Sequence, residues 1–397
     1  MNITEFLNRY GLMPEAIDGP GCLARLLEKM EEGLAGRGNI PMLPSYLSVD
    51  TKPAVGVPCC VLDAGGTNLR RARALFREDG SCDMTAFAKS PMPGTQGELS
   101  FDAFYGALAG QVRATGCPER VGLCFSYNVA QERDLDGTLL AWCKEVRVPE
   151  APGKAVGASL KAAVGPECET VRVLNDSTAA LLGAHAADPE ITLGLILGTG
   201  INICYSERCA NIPKVPRDLR GESMIVSTEI GEFDDFPKSV FDRAVIEASD
   251  DPTLAHAEKQ CAGAYLGDVI SHAWQAAARE GLISEQFASP MALPQISEYL
   301  ASQPGTGAAR IAKTLVCRAA KIAAVLTAGP ILKSHTSGQQ CKLIIEGSQY
   351  TRLTGFAEAF NRELETLLAP YGIHFSVLQM ENSCLLGAAI AAFAQPM

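Results

Sequence analysis

The chain has 397 residues, 47% of them hydrophobic and 20% charged, with a formal net charge of −11. That is enough for two domains or one large one around a sizeable core. The acidic balance, with no basic cluster beyond two or three residues, argues against nucleic acid or an anionic membrane surface as partner, so an anionic substrate needs a local basic site.

No apolar run comes near the ~18 residues of a membrane span. The opening MNITEFLNRYGLM carries an acid and amides and does not read as a signal peptide. The 14 cysteines are scattered, several inside apolar segments (Cys124, Cys204, Cys317), and read as reduced thiols of a cytoplasmic protein. No C-x-x-C pair occurs, and His256 and Cys261 have no second pair beside them, so no structural zinc is expected.

In chain order, residues 3–34 read as helical in pieces, with Phe6 and Leu7, then Leu23, Leu26 and Met30, at helical spacing. A Pro/Gly-rich link runs to about residue 55. Segments 57–63 and 69–77 read as paired strands, followed by helix 101–115, strand 120–126, a loop with a short strand to 147, helix 154–164, strand 170–174 and helix 177–187. Strands 192–198 and 202–206 make a second hairpin. Helices follow near 238–249, 257–280, 295–302 and 307–332, then strand 342–346, helix 354–368, strand 374–379 and helix 383–394. The pattern is mixed α/β, with a glycine-rich turn in each hairpin.

The first turn, Asp63-Ala64-Gly65-Gly66-Thr67-Asn68, exposes successive backbone N–H groups, and glycine lets them aim at one point. Such a nest favours phosphate oxygens. Gly198-Thr199-Gly200 has the same parts, and Asp63 stands at a strand end where a carboxylate can hold water on Mg²⁺. A plain β-hairpin is the competing reading of either turn alone. Neither a P-loop sequence nor a G-x-G-x-x-G after a strand is present.

VRVLNDSTAALLGAH, residues 171–185, places Asn175 and Asp176 where a strand becomes a helix. Asp176 or Ser177 can serve simply as the N-cap. A carboxylate there is also kept ionised by the helix dipole and can accept a proton from a hydroxyl attacking phosphorus. Ser126, Lys144, Asn202, Glu229 and Glu258 lie at strand ends or loops in the same manner. Each alone reads as solvated or capping. Together with Asn175 they suit a polyhydroxylated ligand, whose every hydroxyl donates once and accepts twice.

LDAGGTNLR, LNDSTAAL, LGTGINICYSE, STEIGEFDD, EKQCAGAYLGD and IIEGSQY resemble, in collinear order, motifs of the hexokinase family. The resemblance implies an α/β, two-lobed actin-like ATPase (ribonuclease H-like) fold with a central cleft. It implies a helical segment 1–54 packing on the large lobe, a small lobe 55–174, a large lobe 175–384, and a C-terminal helix 385–397 returning to the small lobe. The implied reaction is transfer from ATP, with Mg²⁺, to the 6-hydroxyl of a hexose, most simply glucose, with Asp176 as general base. Ser126, Cys143, Lys144, Asn175, Asn202, Glu229 and Glu258 then match the sugar contacts. Asp63 (to the metal through water), Gly65, Gly66, Thr67, Asn68 and Arg70 match the first phosphate loop, and Gly198, Thr199 and Gly200 the second. Residues 318–332, Gly347, Ser348 and Ser383 fall where the family holds adenosine and phosphate. Asn128 and Cys143 depart from the usual Pro and Thr, ENSCLLGAA lacks the usual D-G-S-G-x-G, and Asp268 replaces a Glu outside the set of contacts. The partners expected are hexose and ATP, with no nucleic acid or membrane, for a cytoplasmic monomer or homodimer. A kinase for mannose or fructose and a non-catalytic sugar sensor are the alternatives.

Overall fold

The structure, a computed structural model, describes residues 2–142, 146–287 and 290–397. Its strands form three sheets. A six-stranded sheet has the order Leu43–Pro44, Ser223–Ser227, Ile201–Arg208, Ile191–Leu197, Gln340–Glu346, His374–Leu378. A five-stranded sheet has the order Cys82–Pro91, Asn68–Phe76, Cys59–Ala64, Arg120–Phe125, Thr170–Leu174, and Asn128–Gln131 pairs with Gly137–Ala141. The chain divides into two compact units. The first comprises Met1–Met42, Leu195–Ile203 and Thr228–Val377; the second comprises Leu43–Gly194, Cys204–Ser227 and Leu378–Met397.

In the second unit, Cys59–Ala64 pairs antiparallel with Asn68–Phe76 and parallel with Arg120–Phe125, which in turn runs parallel to Thr170–Leu174. Every residue of Cys59–Ala64 is buried, as befits a strand covered on both faces. Cys60, Leu62 and Ala64 join Phe104, Leu108 and Val112 of helix Phe101–Arg113 in one core. The strand also packs against helix Ser383–Ala391. That helix lies so close to helix Asp176–Ala187 that a Cβ on Gly387 would stand 1.9 Å from the Ala179 carbonyl oxygen. The C-terminal helix therefore fixes the helix that begins at Asp176.

The first unit is organised by helix Gly307–Ser334, which packs against helices Gly19–Leu34, Gly263–Arg279 and Phe356–Leu368. By length and hydropathy alone this 28-residue helix qualifies as a membrane span, which corrects the expectation that no segment does. Its most apolar window is 83% buried within the protein, however, and the helix carries Arg318, buried and paired with Asp242 at 2.9 Å. Helices on several sides make it apolar nearly all round.

Four other differences from the sequence reading have local causes. The expected helix 257–280 is two, His256–Cys261 and Gly263–Arg279, because Ala262 is extended (φ −82°, ψ 161°) and turns the second helix toward residues 198–199. Cys82–Pro91 is a strand that the sequence hides: at the sheet edge, most of its side chains are partly or fully exposed and no apolar alternation is required. Ser223–Ser227, also unanticipated, is a short, mostly buried strand paired antiparallel with the segment from Cys204. Residues 175–194 and 204–227 group with the second unit rather than with 228–377, and within that unit helix Asp176–Ala187 packs on Ser383–Ala391.

Candidate active site

The second unit gathers part of the expected site at one end of its sheet. Asp63 is paired in register with Cys124, and Cys124 with Leu174, so three neighbouring parallel strands finish side by side. Asp63, Ser126, Asn175 and Asp176 lie at those carboxyl ends. The Ser126 N–H continues the ladder to the Ala64 carbonyl at 3.1 Å. Open α/β sheets place their ligands at this end of the strands. Cys124 is fully enclosed near Asp63 and Asp176. A hydrogen bond with Cys384 lowers its thiol, but burial and the two carboxylates outweigh that and push it up to about 12. It is an inert packing thiol, not a nucleophile.

Asp63 is 4% exposed, and Arg70, its cross-strand partner, donates Nε to Oδ2 at 2.6 Å. A buried carboxylate is tolerable because it is so paired. The turn beyond it is held from three directions. The Gly65 N–H donates to the Asn68 carbonyl at 3.0 Å, and the Met92 N–H to the Thr67 carbonyl at 3.0 Å. The Tyr127 hydroxyl donates to the Gly65 carbonyl at 2.8 Å. Asn68 Nδ2 also donates to Thr67 Oγ1 at 2.8 Å. The first amide of the supposed nest thus closes the turn.

At the start of helix Asp176–Ala187 the cap is Asn175, not Asp176 or Ser177. Its Oδ1 accepts from the Ser177 N–H at 2.9 Å and from the Ser177 hydroxyl at 2.8 Å. Asp176 is the first residue of the helix and is half-buried, and its Oδ1 shares the Ser177 N–H at 2.8 Å.

In the first unit the second turn is pinned by the helix that follows the break at Ala262. The Gly263 N–H donates to the Gly198 carbonyl at 2.8 Å and the Ala264 N–H to the Thr199 carbonyl at 3.0 Å. Gly347, at φ 126°, comes so close that a Cβ would lie 2.1 Å from the Leu197 carbonyl oxygen; no other residue fits there. Next to this turn, Glu258 Oε2 accepts from the Ile201 N–H at 2.9 Å. Asn202 donates Nδ2 to Glu229 Oε1 at 2.6 Å and accepts the Glu229 N–H on Oδ1 at 3.0 Å. Glu229 holds a left-handed backbone (φ 54°, ψ 46°), rare for a residue with a long side chain and frequent at functional sites. Two carboxylates and an amide thus converge beside the Gly198–Gly200 turn.

A cavity of about 510 Å³, within the usual range for small-molecule sites, opens on the same turn. Its wall runs from Gly198 and Thr199 along Gly263, Ala264, Gly267 and Asp268, and it includes Pro290–Pro294, Ser348, Gln349 and Leu353. Gln349 is buried, donates Nε2 to the Cys261 carbonyl at 2.6 Å and ties the cavity wall to the helix break.

Of the residues expected at the site, Asp63, Gly65, Gly66, Thr67, Asn68, Arg70, Ser126, Asn175 and Asp176 are together in the second unit. Gly198, Thr199, Gly200, Asn202, Glu229, Glu258, Gly347 and Ser348 are together in the first. Cys143 and Lys144 lie outside the described residues. Ser383 is fully buried, with its carbonyl against Gly183 in the contact between helices Asp176–Ala187 and Ser383–Ala391. None of residues 318–332 lines this cavity, and they form the buried centre of their unit. Asp268, placed outside the contacts from sequence, stands in the cavity wall. Tyr127 and Lys259 were missed. Lys259 is 3% exposed and donates to the Leu254 carbonyl at 2.8 Å and to that of Asp251, holding the loop that leads into Glu258. Only the apolar neighbours of Tyr127 and the run EKQ hinted at these roles.

Comparison with known proteins bears on the same residues. A family model described as hexokinase matches residues 192–304 and 302–394, more than half of the chain, and a second hexokinase model matches residues 21–186. Hexokinase-1 of Schizosaccharomyces pombe is 32% identical over 278 residues, which cover 62% of this chain and 54% of that protein. The chain spans about half the length of the curated relatives it matches. Among solved structures, hexokinase from Schistosoma mansoni complexed with glucose has a TM-score of 0.85 at 20% identity, covering 99% of this chain and 100% of that one. A ROK family glucokinase from Streptomyces griseus, in complex with glucose and AMPPNP, has a TM-score of 0.54 at 18% identity, covering 84% and 98%. The fold is therefore that of hexokinase, an actin-like ATPase fold, and the chain belongs to the hexokinase family.

Proposed function

We propose that the chain transfers the terminal phosphoryl group of ATP to the 6-hydroxyl of a hexose, glucose first among them. The observation that carries this reading is the alignment of Asp63, Ser126 and Asp176 at adjoining strand ends, with Asp176 at a helix N-terminus that Asn175 already caps. In the first unit Asn202, Glu229 and Glu258 are the acceptors and amide for sugar hydroxyls, and in the second unit Ser126 and Asn175 are. Both carboxylates accept from hydroxyl donors, and the Asn202–Glu229 pair fixes where one of them points. Asp176 accepts the 6-hydroxyl proton as the oxygen attacks phosphorus, a role worth on the order of 10²–10⁴ in rate. The Gly65–Asn68 and Gly198–Gly200 turns hold phosphate oxygens, and the nucleoside occupies the cavity beside the second turn.

Among the described residues, no three His, Cys, Asp or Glu side chains are arranged to hold a metal ion. The donor set fits Mg²⁺ as an ion carried by the triphosphate and reached by Asp63 through water, with Arg70 keeping that carboxylate in place. Bound there, the ion neutralises charge on the phosphates.

The test is ADP release with ATP and a panel of glucose, mannose and fructose. Release with glucose at a rate well above the no-sugar control is expected. Glucose binding without ADP release from any sugar would instead make the protein a sensor and remove the kinase reading.

A further inference from the structure

Helix Gly263–Arg279 enters the cavity wall with Gly263 and Ala264 bonded to the Gly198–Thr199 turn. The residues Gly263, Ala264, Gly267 and Asp268 recur at three- and four-residue spacing, so they share one helical face, and all four line the cavity. The helix thus acts as a ruler. At about 1.5 Å per residue, Asp268 lies about 6 Å along the axis from Ala264. If phosphate sits at Thr199, the next group of a nucleotide, one step beyond the phosphates, is its sugar. Farther along, the wall turns apolar through Pro290–Pro294, a segment tied to the same helix face because the Met291 N–H donates to Ser271 Oγ at 3.2 Å and Ser271 donates to the Gly267 carbonyl at 2.8 Å. That apolar part suits a heterocycle.

We infer that Asp268 is a specificity-determining residue for the phosphoryl donor, its carboxylate accepting hydrogen bonds from the vicinal hydroxyls of the nucleotide's ribose. The assignment rests on the nucleoside lying in this cavity, as the kinase reading has it. A carboxylate offers two acceptor oxygens and no donor when ionised, which matches a pair of hydroxyls. It also stands a helical turn away from the phosphates, where its own charge repels them least. Burial holds the Asp268 carboxyl above its ordinary value, with His272 one turn on working in the opposite direction. An acid set in the wall in this way gains from hydroxyl donors that replace its lost water.

The experiment compares binding of ADP and 2′,3′-dideoxy-ADP by titration calorimetry, so that it does not depend on turnover. The full chain is expected to bind the dideoxy nucleotide about tenfold or more weakly, the scale of hydrogen bonds to a charged group. Asp268→Leu is expected to bind ADP that much more weakly and to discriminate little between the two. IDP, altered only in the base, serves as control and loses the same factor with either protein. If the parent chain binds both ADP forms equally, or if Asp268→Leu keeps the discrimination or loses that for the base instead, the assignment is overturned. Should Asp268→Leu fail to fold, Asp268→Asn preserves the shape and is expected to lose part of the discrimination; full discrimination in that variant also overturns it. Discrimination by sugar in a protein that releases no ADP with any hexose would keep the assignment and sink the kinase reading. A chain that binds no ADP at all sinks both.

Discussion

Asn202 and Glu229 hold each other by both ends: the amide nitrogen of Asn202 donates to the Glu229 carboxylate at 2.6 Å, and its amide oxygen receives the Glu229 N–H at 3.0 Å. The second bond helps to keep Glu229 in its left-handed backbone, a conformation that costs about 1–2 kcal/mol in an L-residue. Asn202→Ala removes both bonds. Its hexose dissociation constant is expected to rise on the order of tenfold or more, and thermal stability to fall as well, because Asn202 is buried and its Oδ1 also accepts the Ile203 N–H at 2.8 Å. Calorimetric titration with glucose checks this. Unchanged affinity would show that the pair has no part in sugar binding.

Asn175 Oδ1 accepts from the Ser177 N–H and hydroxyl, so the helix keeps a cap when the Asp176 bond to the same N–H is altered. Asp176→Asn is expected to lower kcat by about 10²–10⁴ while glucose affinity stays within a few-fold and the melting temperature holds. Asn175→Ala should do the reverse in stability, costing roughly 0.5–2 kcal/mol for a lost cap. Measuring kcat, affinity and chemical denaturation on both variants separates the roles. Near-normal turnover by Asp176→Asn would remove it from proton transfer.

Much of this was legible in the sequence because each piece had a local signature. The apolar run ending at Asp63, the glycine turns and the NDS junction are short-range features, and they predict the hairpins and the helix start correctly. What sequence did not give are relations set by packing at a distance. Nothing local shows that Gly387 must touch Ala179, or that Ser383 is sealed into that contact. Asp268 is on the helix that starts after the break at Ala262, and an alanine carries no breaking signal of its own, while Gln349 reaches the wall from the distant helix Ser348–Arg352. The edge strand Cys82–Pro91 was hidden for a different reason. With little of it buried, selection of an alternating pattern is weak.

Tyr127 offers a prediction on the first turn. Its ring is buried, tilted against Phe125 and edge-on to Trp142, and only its hydroxyl reaches the Gly65 carbonyl. Tyr127→Phe keeps the ring and removes one hydrogen bond, worth about 0.5–1.5 kcal/mol. If the turn holds phosphate, the KM for ATP should rise by roughly two- to tenfold with the KM for glucose nearly unchanged. Equal effects on both substrates would mean the hydroxyl supports the unit as a whole rather than the turn.

Glu232 supplies a prediction in pH. Its carboxylate accepts the Ala255 N–H at 2.8 Å, at the start of the helix that carries Glu258. Burial raises its carboxyl above the ordinary value; the Ala255 hydrogen bond and Lys259 oppose the rise, and Asp251 adds to it. The folded chain therefore binds this proton more tightly than the unfolded one. The contribution to stability is fully present below the unfolded value and is lost as pH rises through the folded value, after which it is flat. Glu232→Gln can still accept from Ala255 and has no charge to bury. The variant is expected to gain stability relative to the parent as pH rises through that window, and to hold a constant advantage at neutral pH. Urea denaturation of both proteins from pH 4 to pH 7 measures the difference. A parent that gains on the variant with rising pH would show that the ionised carboxylate is favoured where it stands, and that it anchors the Glu258 helix as an ion rather than as an acid.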